Sequence, residues 1–244
     1  MKLREAIILA SGLGRRLREL NKDIPKCFHE LEGEVLLRYP MRALKNSGVE
    51  RFVVVVPAGY SARLKEFSEG IIPVENPVVE RGNAYSLLLG VERAESERFL
   101  VSCCDSLYPP SAVRKLLSEA GDDDVVIAVS RNSEYIDVAE ATKVRVEGNR
   151  VVKIGKNIED FDAYDTGLFV MSRSVLRAGK EIEWDGEVSI FDLLQKSLKL
   201  GMRVSCVDLD DIPWTEIDTP QDYFELIRGK RRAVLERFRM EVVD

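Results

Sequence analysis

The stretch Leu9-Ala10-Ser11-Gly12-Leu13-Gly14-Arg15-Arg16-Leu17 follows the apolar run Ala6-Ile7-Ile8 and precedes Pro25-Lys26, and its residue types suit a triphosphate cradle. Glycines at 12 and 14 carry no Cβ, so backbone N–H groups can turn inward around phosphate oxygens. Arg16 and Lys26 supply full positive charge. Asp105 follows the apolar segment Phe99 to Cys104, which puts it at the carboxyl end of a strand, where open α/β sheets bind ligands. Asp218 stands in Trp214-Thr215-Glu216-Ile217-Asp218-Thr219-Pro220. Mg²⁺ takes one or two carboxylates plus phosphate oxygens, so Asp105 and Asp218 are the candidate metal ligands. Either aspartate alone would also serve as an ordinary helix cap.

Competing chemistries lack their residues. A dinucleotide fingerprint needs a third glycine at position 17, where Leu17 stands, and no G-x-x-x-x-G-K-[ST] loop occurs. His29 is the only histidine and no nucleophile elbow accompanies it, so a structural or surface role is expected there. Cys27, Cys103, Cys104 and Cys206 form no C-x-x-C pair and read as reduced structural thiols. A net charge of −6 argues against broad attraction to nucleic acid, so phosphate must be gripped locally. The basic run Arg228, Lys230, Arg231, Arg232, Arg237 and Arg239 reads as a solvated face of a terminal helix.

These residues need a scaffold, and 244 residues with 45% hydrophobic content can build one substantial core. Apolar, β-branched runs at 5–10, 52–56, 98–103 and 124–129 alternate with helical spacing at 35–47, 60–68, 83–95 and 110–119. The expected fold is α/β: one Rossmann-like domain with a mixed, mostly parallel central sheet flanked by helices. A small β-hairpin, Thr142 to Val146 and Arg150 to Ile154 around Glu147-Gly148-Asn149, opens an acceptor-facing half. A strand at Tyr164 to Met171, a helix at Glu187 to Leu200, a strand at Arg203 to Val207 and a long helix from Thr219 onward follow. The whole chain, 1–244, reads as one domain: a nucleotide-binding half (1–130), an acceptor-binding half (131–218) and a C-terminal helix (219–244). No stretch has the ~7–15 residue apolar core of a secretory signal or the ~18 residues needed to cross a bilayer, so a cytoplasmic, soluble protein is expected.

The cradle, Pro25-Lys26, Asp105 and Ile217-Asp218-Thr219-Pro220, in that order, resemble the nucleotidylyltransferases that join a nucleoside triphosphate to a sugar phosphate. Within that superfamily, four stretches look like the inositol-1-phosphate cytidylyltransferases: Gly82-Asn83-Ala84-Tyr85-Ser86-Leu87, Glu140 to Val146, Val152 to Lys156 and Asp165-Thr166-Gly167. The resemblance implies cytidylyl transfer from CTP to inositol 1-phosphate, giving CDP-inositol for di-myo-inositol phosphate synthesis, with Mg²⁺ as cofactor. It departs from the family at Arg15, where many relatives carry Thr, and at Glu80, where the hexose-using branch has Gln. The cradle does not see the acceptor, so a hexose 1-phosphate or phosphocholine stays open as an alternative. So does a nucleotide-binding regulatory subunit without catalysis.

The resemblance assigns the nucleotide to Leu9, Ala10, Ser11, Gly12, Gly14, Arg15, Glu80, Gly82, Asn83 and Asp105, and the catalytic cations to Arg16, Lys26 and Lys156. It assigns the acceptor to Asp137, Glu140, Lys156, Asp165 and Glu187, the metal to Asp105 and Asp218. Many family members are fused to a membrane-embedded synthase, which implies a separate synthase partner here; a homodimer is a further expectation. Charged residues reach 32% against a typical ~25%, and glutamine occurs only at Gln195 and Gln221, a balance that points to a thermophile. Calorimetry is expected to give a melting temperature above the roughly 45–65 °C range of mesophile domains.

Overall fold

The computed structural model describes residues 2–17, 24–67 and 70–243. Its strands are β1 (Glu5–Leu9), β2 (Glu30–Leu31), β3 (Glu34–Val35), β4 (Arg51–Pro57), β5 (Ile71–Asn76), β6 (Arg98–Cys103), β7 (Ser106–Leu107), β8 (Val125–Ser130), β9 (Lys143–Glu147), β10 (Arg150–Gly155), β11 (Ala163–Ser172), β12 (Val204–Asp208) and β13 (Thr215–Glu216). The α-helices are α1 (Arg38–Lys45), α2 (Gly82–Arg93), α3 (Pro110–Glu119), α4 (Val175–Lys180), α5 (Ile190–Lys199), α6 (Pro220–Arg228) and α7 (Arg232–Glu241).

Nine strands form one sheet in the order β5-β4-β1-β6-β11-β8-β12-β10-β9. β5, β4, β1 and β6 run parallel, as do β8 and β12, while β11 runs antiparallel between β6 and β8. The mixed sheet expected from the sequence is the one observed, although it is less parallel than expected, since β10 also runs antiparallel to β12 and β9. Val53–Val56 and Val125–Val129 are buried throughout, because strands covered on both faces have no solvent side to alternate toward. Period-two geometry divides β1 between two cores: Ala6 and Ile8 join α1, α3 and α7, whereas Ile7 and Leu9 join α2, α4 and α5. Asp105 follows β6 and the cradle follows β1, side by side in the sheet.

Several boundaries differ from expectation. The segment expected as a helix over 60–68 is a 3-10 helix over Ser61–Glu66, with Ser68 outside the described residues. β5 and α4 carried too little apolar periodicity to be read. The helix expected from Glu187 begins at Ile190, because Ser189 accepts Asp192 N–H and its own N–H returns the bond to the Asp192 carboxylate. The long terminal helix is two helices broken at Gly229, the first capped by Thr219 and Asp222.

Arg228, Lys230, Arg237 and Arg239 are exposed, as a solvated face requires, and the break corrects that reading at Arg231. Arg231 is buried, 2.6 Å from Asp222, and also donates to Glu216 C=O. Arg232 and Arg239 pair with Glu32, and Arg237 pairs with Glu241. Asp222 in turn accepts the N–H groups of Asp218 and Thr219 at 2.9 and 2.8 Å, so this buried pair sets the turn that carries Asp218. Removing one partner of a buried pair leaves an uncompensated charge, which costs about 3–5 kcal/mol. Asp222→Ala is expected to lose stability on that scale in urea unfolding, and a loss below 1 kcal/mol would deny the pair its anchoring role.

Candidate active site

The cleft opens above the ends of β1 and β6, encloses about 820 Å³, and is lined on one side by Ser11–Arg16 and on the other by Gly155–Ile158 and Glu187. Gly14 has φ +59°, and a Cβ there would stand 3.0 Å from the Cβ of Lys26. Glycine is therefore what lets the cradle fold down onto the Lys26 turn. That turn is held by Lys26 N–H donating to Gly12 C=O at 3.1 Å.

Lys26 is buried, with its ammonium bonded to Asp105 and lying 2.5 Å from Asp218 Oδ1. Burial alone would lower its basicity; the two carboxylates outweigh this and raise it, so Lys26 is a fixed cation. Burial likewise raises the Asp218 carboxyl, but Lys26 and then Arg16, 3.1 Å away, hold it below the usual carboxylate range. Arg16 also reaches Glu140 at 3.1 Å, and Lys156 stands 3.5 Å from the same Glu140 oxygen. One cationic row thus crosses the cleft from the cradle to the β10 end.

Glu216 went unnoticed in the sequence as a site residue, although it lies two residues before Asp218, a strand's same-face spacing. β13 pairs with β7 and puts Glu216 into the cleft, where burial and then Asp105 and Asp218 raise its carboxyl well above the ordinary range. Among the described residues no three His, Cys, Asp or Glu side chains meet in a metal-binding group. Asp105 and Asp218 bond the Lys26 ammonium through one oxygen each, and both carboxylates line the cleft, where the phosphates of a ligand would come. Two carboxylates completed by ligand phosphates fit a divalent cation.

Arg15, Glu80, Gly82, Asn83, Glu140, Asp165 and Glu187 also line the cleft, together with the unforeseen Ser86, Lys153 and Gln195. Leu9, Ala10 and Asp137 stand outside the lining of the main cleft. Leu9 and Ala10 point their side chains into the two cores, and Leu9 C=O and Ala10 N–H are engaged with Cys104 and Val55. Asp137 accepts the N–H of Ala139 and lines a smaller recess beside the cleft with Arg16, Glu140, Glu216 and Asp218. His29 is buried, which excludes the surface role, and burial lowers its basicity. The four cysteines are free; Cys103 is half-buried and borders the cleft.

The geometry matches that of known proteins. Residues 6–197 match the model of the MobA-like NTP transferase domain. The inositol-1-phosphate CTP transferase from T. maritima superposes with a TM-score of 0.91 at 41% identity, covering 99% of this chain and 98% of that one. The chain belongs to the inositol-1-phosphate cytidylyltransferase family of MobA-like NTP transferases. A bifunctional IPC transferase and DIPP synthase of Rubrobacter xylanophilus is 40% identical over 222 residues, and one of Aquifex aeolicus 32% over 224, each across 89% of this chain. This cytidylyltransferase-family chain spans about half the length of those curated relatives. No helix among its described residues is long and apolar enough to cross a membrane.

Asp165, buried beneath the cleft, has its carboxyl pushed up to about 7 by desolvation, against the N–H groups of Gly167 and Thr166 that lower it. An acid bound to its proton in the fold and free of it when unfolded makes stability fall as pH rises, here from near 4 to about 7. Asp165→Asn should shrink that fall: the difference between urea midpoints at pH 5 and pH 8 is expected to be smaller in the variant than in the parent.

Proposed function

We propose that this family member transfers a cytidylyl group from CTP to inositol 1-phosphate, releasing pyrophosphate and CDP-inositol, with Mg²⁺ as the metal. The observation that carries the reading is the cationic row Arg16, Lys26 and Lys156 along a cleft that also holds Asp105 and Asp218. Two anions must meet there, so fixed positive charge and positioning are what the reaction demands. A phosphate monoester is mostly dianionic at neutral pH, its second pKa being about 6, so the attacking oxygen needs alignment rather than a general base.

Arg16 and the amides of Gly12 to Arg15 hold the β and γ phosphates. Lys26 faces the α-phosphate, and Lys156 grips the phosphate of the acceptor. Glu187, exposed at the cleft edge, and Glu140 and Asp165 accept hydrogen bonds from acceptor hydroxyls. Asp105 and Asp218 would hold Mg²⁺, which neutralises charge on the α-phosphate. The base lies against Ser11, Glu80, Gly82 and Asn83. The four free thiols suit a reducing cytoplasm, and a DIPP synthase activity, the second half of the relatives' name, is the consumer we propose for the product.

The purified protein with Mg²⁺, CTP and inositol 1-phosphate is expected to yield CDP-inositol by mass spectrometry, with hexose 1-phosphates and phosphocholine as poor acceptors. Equal turnover with a hexose 1-phosphate would overturn the acceptor. Lys26→Ala should lower turnover by roughly 10²–10³, the loss seen on removing one donor to developing charge; a few-fold loss in a variant that melts normally would reject the role of Lys26.

A further inference from the structure

The wall of the cleft next to α2 is assembled from two segments far apart in sequence, Glu80–Ala84 and Glu187–Ile190, and both contribute lining residues. They are joined at three points. Val188 N–H donates to Arg81 C=O at 3.0 Å, Ala84 N–H donates to Val188 C=O at 3.2 Å, and Ile190 N–H donates to Asn83 Oδ1 at 2.7 Å. Gly82, at φ +85°, makes the first two possible: a Cβ there would fall 2.3 Å from Val188 O. The edge contact of Tyr85 with Trp184, ring centroids 5.4 Å apart, continues the junction outward.

Asn83 differs from the other links because it is a side chain at the cleft surface. Ile190 is the first residue of α5, so its N–H has no partner inside the helix. Ser189 already caps Asp192 N–H, and Asn83 satisfies Ile190 N–H from another helix. A backbone N–H can only donate, which fixes the amide: Oδ1 faces Ile190, and Nδ2 is left as a donor.

We propose that Asn83 is a positioning residue for the acceptor. Through Ile190 N–H it holds the start of α5, and with it Ser189, against the nucleotide-side wall, as the third link beside the two backbone bonds of Val188 that flank Glu187. The inference rests on the cytidylyl-transfer reading and adds to it a residue on the nucleotide side that governs acceptor binding.

Two variants separate the bond from any contact Nδ2 makes. Asn83→Ala removes both, whereas Asn83→Asp keeps an oxygen for Ile190 N–H, loses the donor and adds a negative charge to the cleft. The KM of each substrate and the hydrogen–deuterium exchange of the peptide spanning 187–190 are measured for both variants and the parent. In Asn83→Ala the acceptor KM is expected to rise at least five-fold and 187–190 to exchange faster. In Asn83→Asp the exchange of 187–190 should return to near the parental rate, whatever the added charge does to either KM. An unchanged acceptor KM in Asn83→Ala, or exchange as fast in Asn83→Asp as in Asn83→Ala, overturns the proposal. A parent that makes no CDP-inositol overturns the functional reading instead, and exchange that is equally slow in all three proteins overturns the bond's structural role independently of any substrate.

Discussion

One buried ammonium between two carboxylates organises this molecule. Lys26 arrives from a 3-10 turn after the cradle, Asp105 from the end of β6, and Asp218 from the turn before α6, three segments with no sequence proximity. A charge this far from water is tolerated only with close partners, and the partners are tolerated only with the charge. The interaction therefore fixes the cradle, the central sheet and the C-terminal helices to one point. Gly14 and the Gly12 carbonyl on one side, and the Asp222–Arg231 pair on the other, make the approach of the segments sterically and electrostatically possible.

Around that point the cleft balances charge rather than accumulating it. Asp218 stays ionised because Lys26 and Arg16 face it, while Glu216 and Asp165 are pushed toward their neutral forms by burial. A cleft that combines fixed cations with reluctant acids can receive a polyphosphate and a divalent ion without a large change in net local charge. That suits phosphoryl chemistry, where alignment of anions is the barrier and no proton need be removed from carbon or nitrogen.

Legibility in the sequence followed the physics of each element. The cradle, Lys26, Asp105 and Asp218 could be read because glycines after an apolar strand and carboxylates at strand ends are local signals. Strands β1, β4, β6 and β8 announced themselves as β-branched runs, since burial on both faces demands them. Leu9 and Ala10 lie next to the cradle but outside the cleft lining, because sequence adjacency does not reveal which backbone groups are already taken, here Leu9 C=O and Ala10 N–H. Glu216, Gln195 and the bond from Ile190 to Asn83 depend on pairings across about 40 to 110 residues, which no local pattern encodes. The basic terminal run looked like a solvated face because charge alone does not show that Arg231 is enclosed.

β11 is the one long strand that runs against its neighbours, and it is wedged between β6 and β8 with ladder bonds to both. It thereby stitches the β5-β4-β1-β6 half to the β8-β12 half within a single sheet. Swinging those regions apart as rigid bodies would tear a ten-residue strand out of two ladders. Admission and release of large charged substrates must accordingly be handled at the rim, by side chains such as Arg16, Glu140 and Lys156 and by short connecting turns, while the scaffold beneath stays shut.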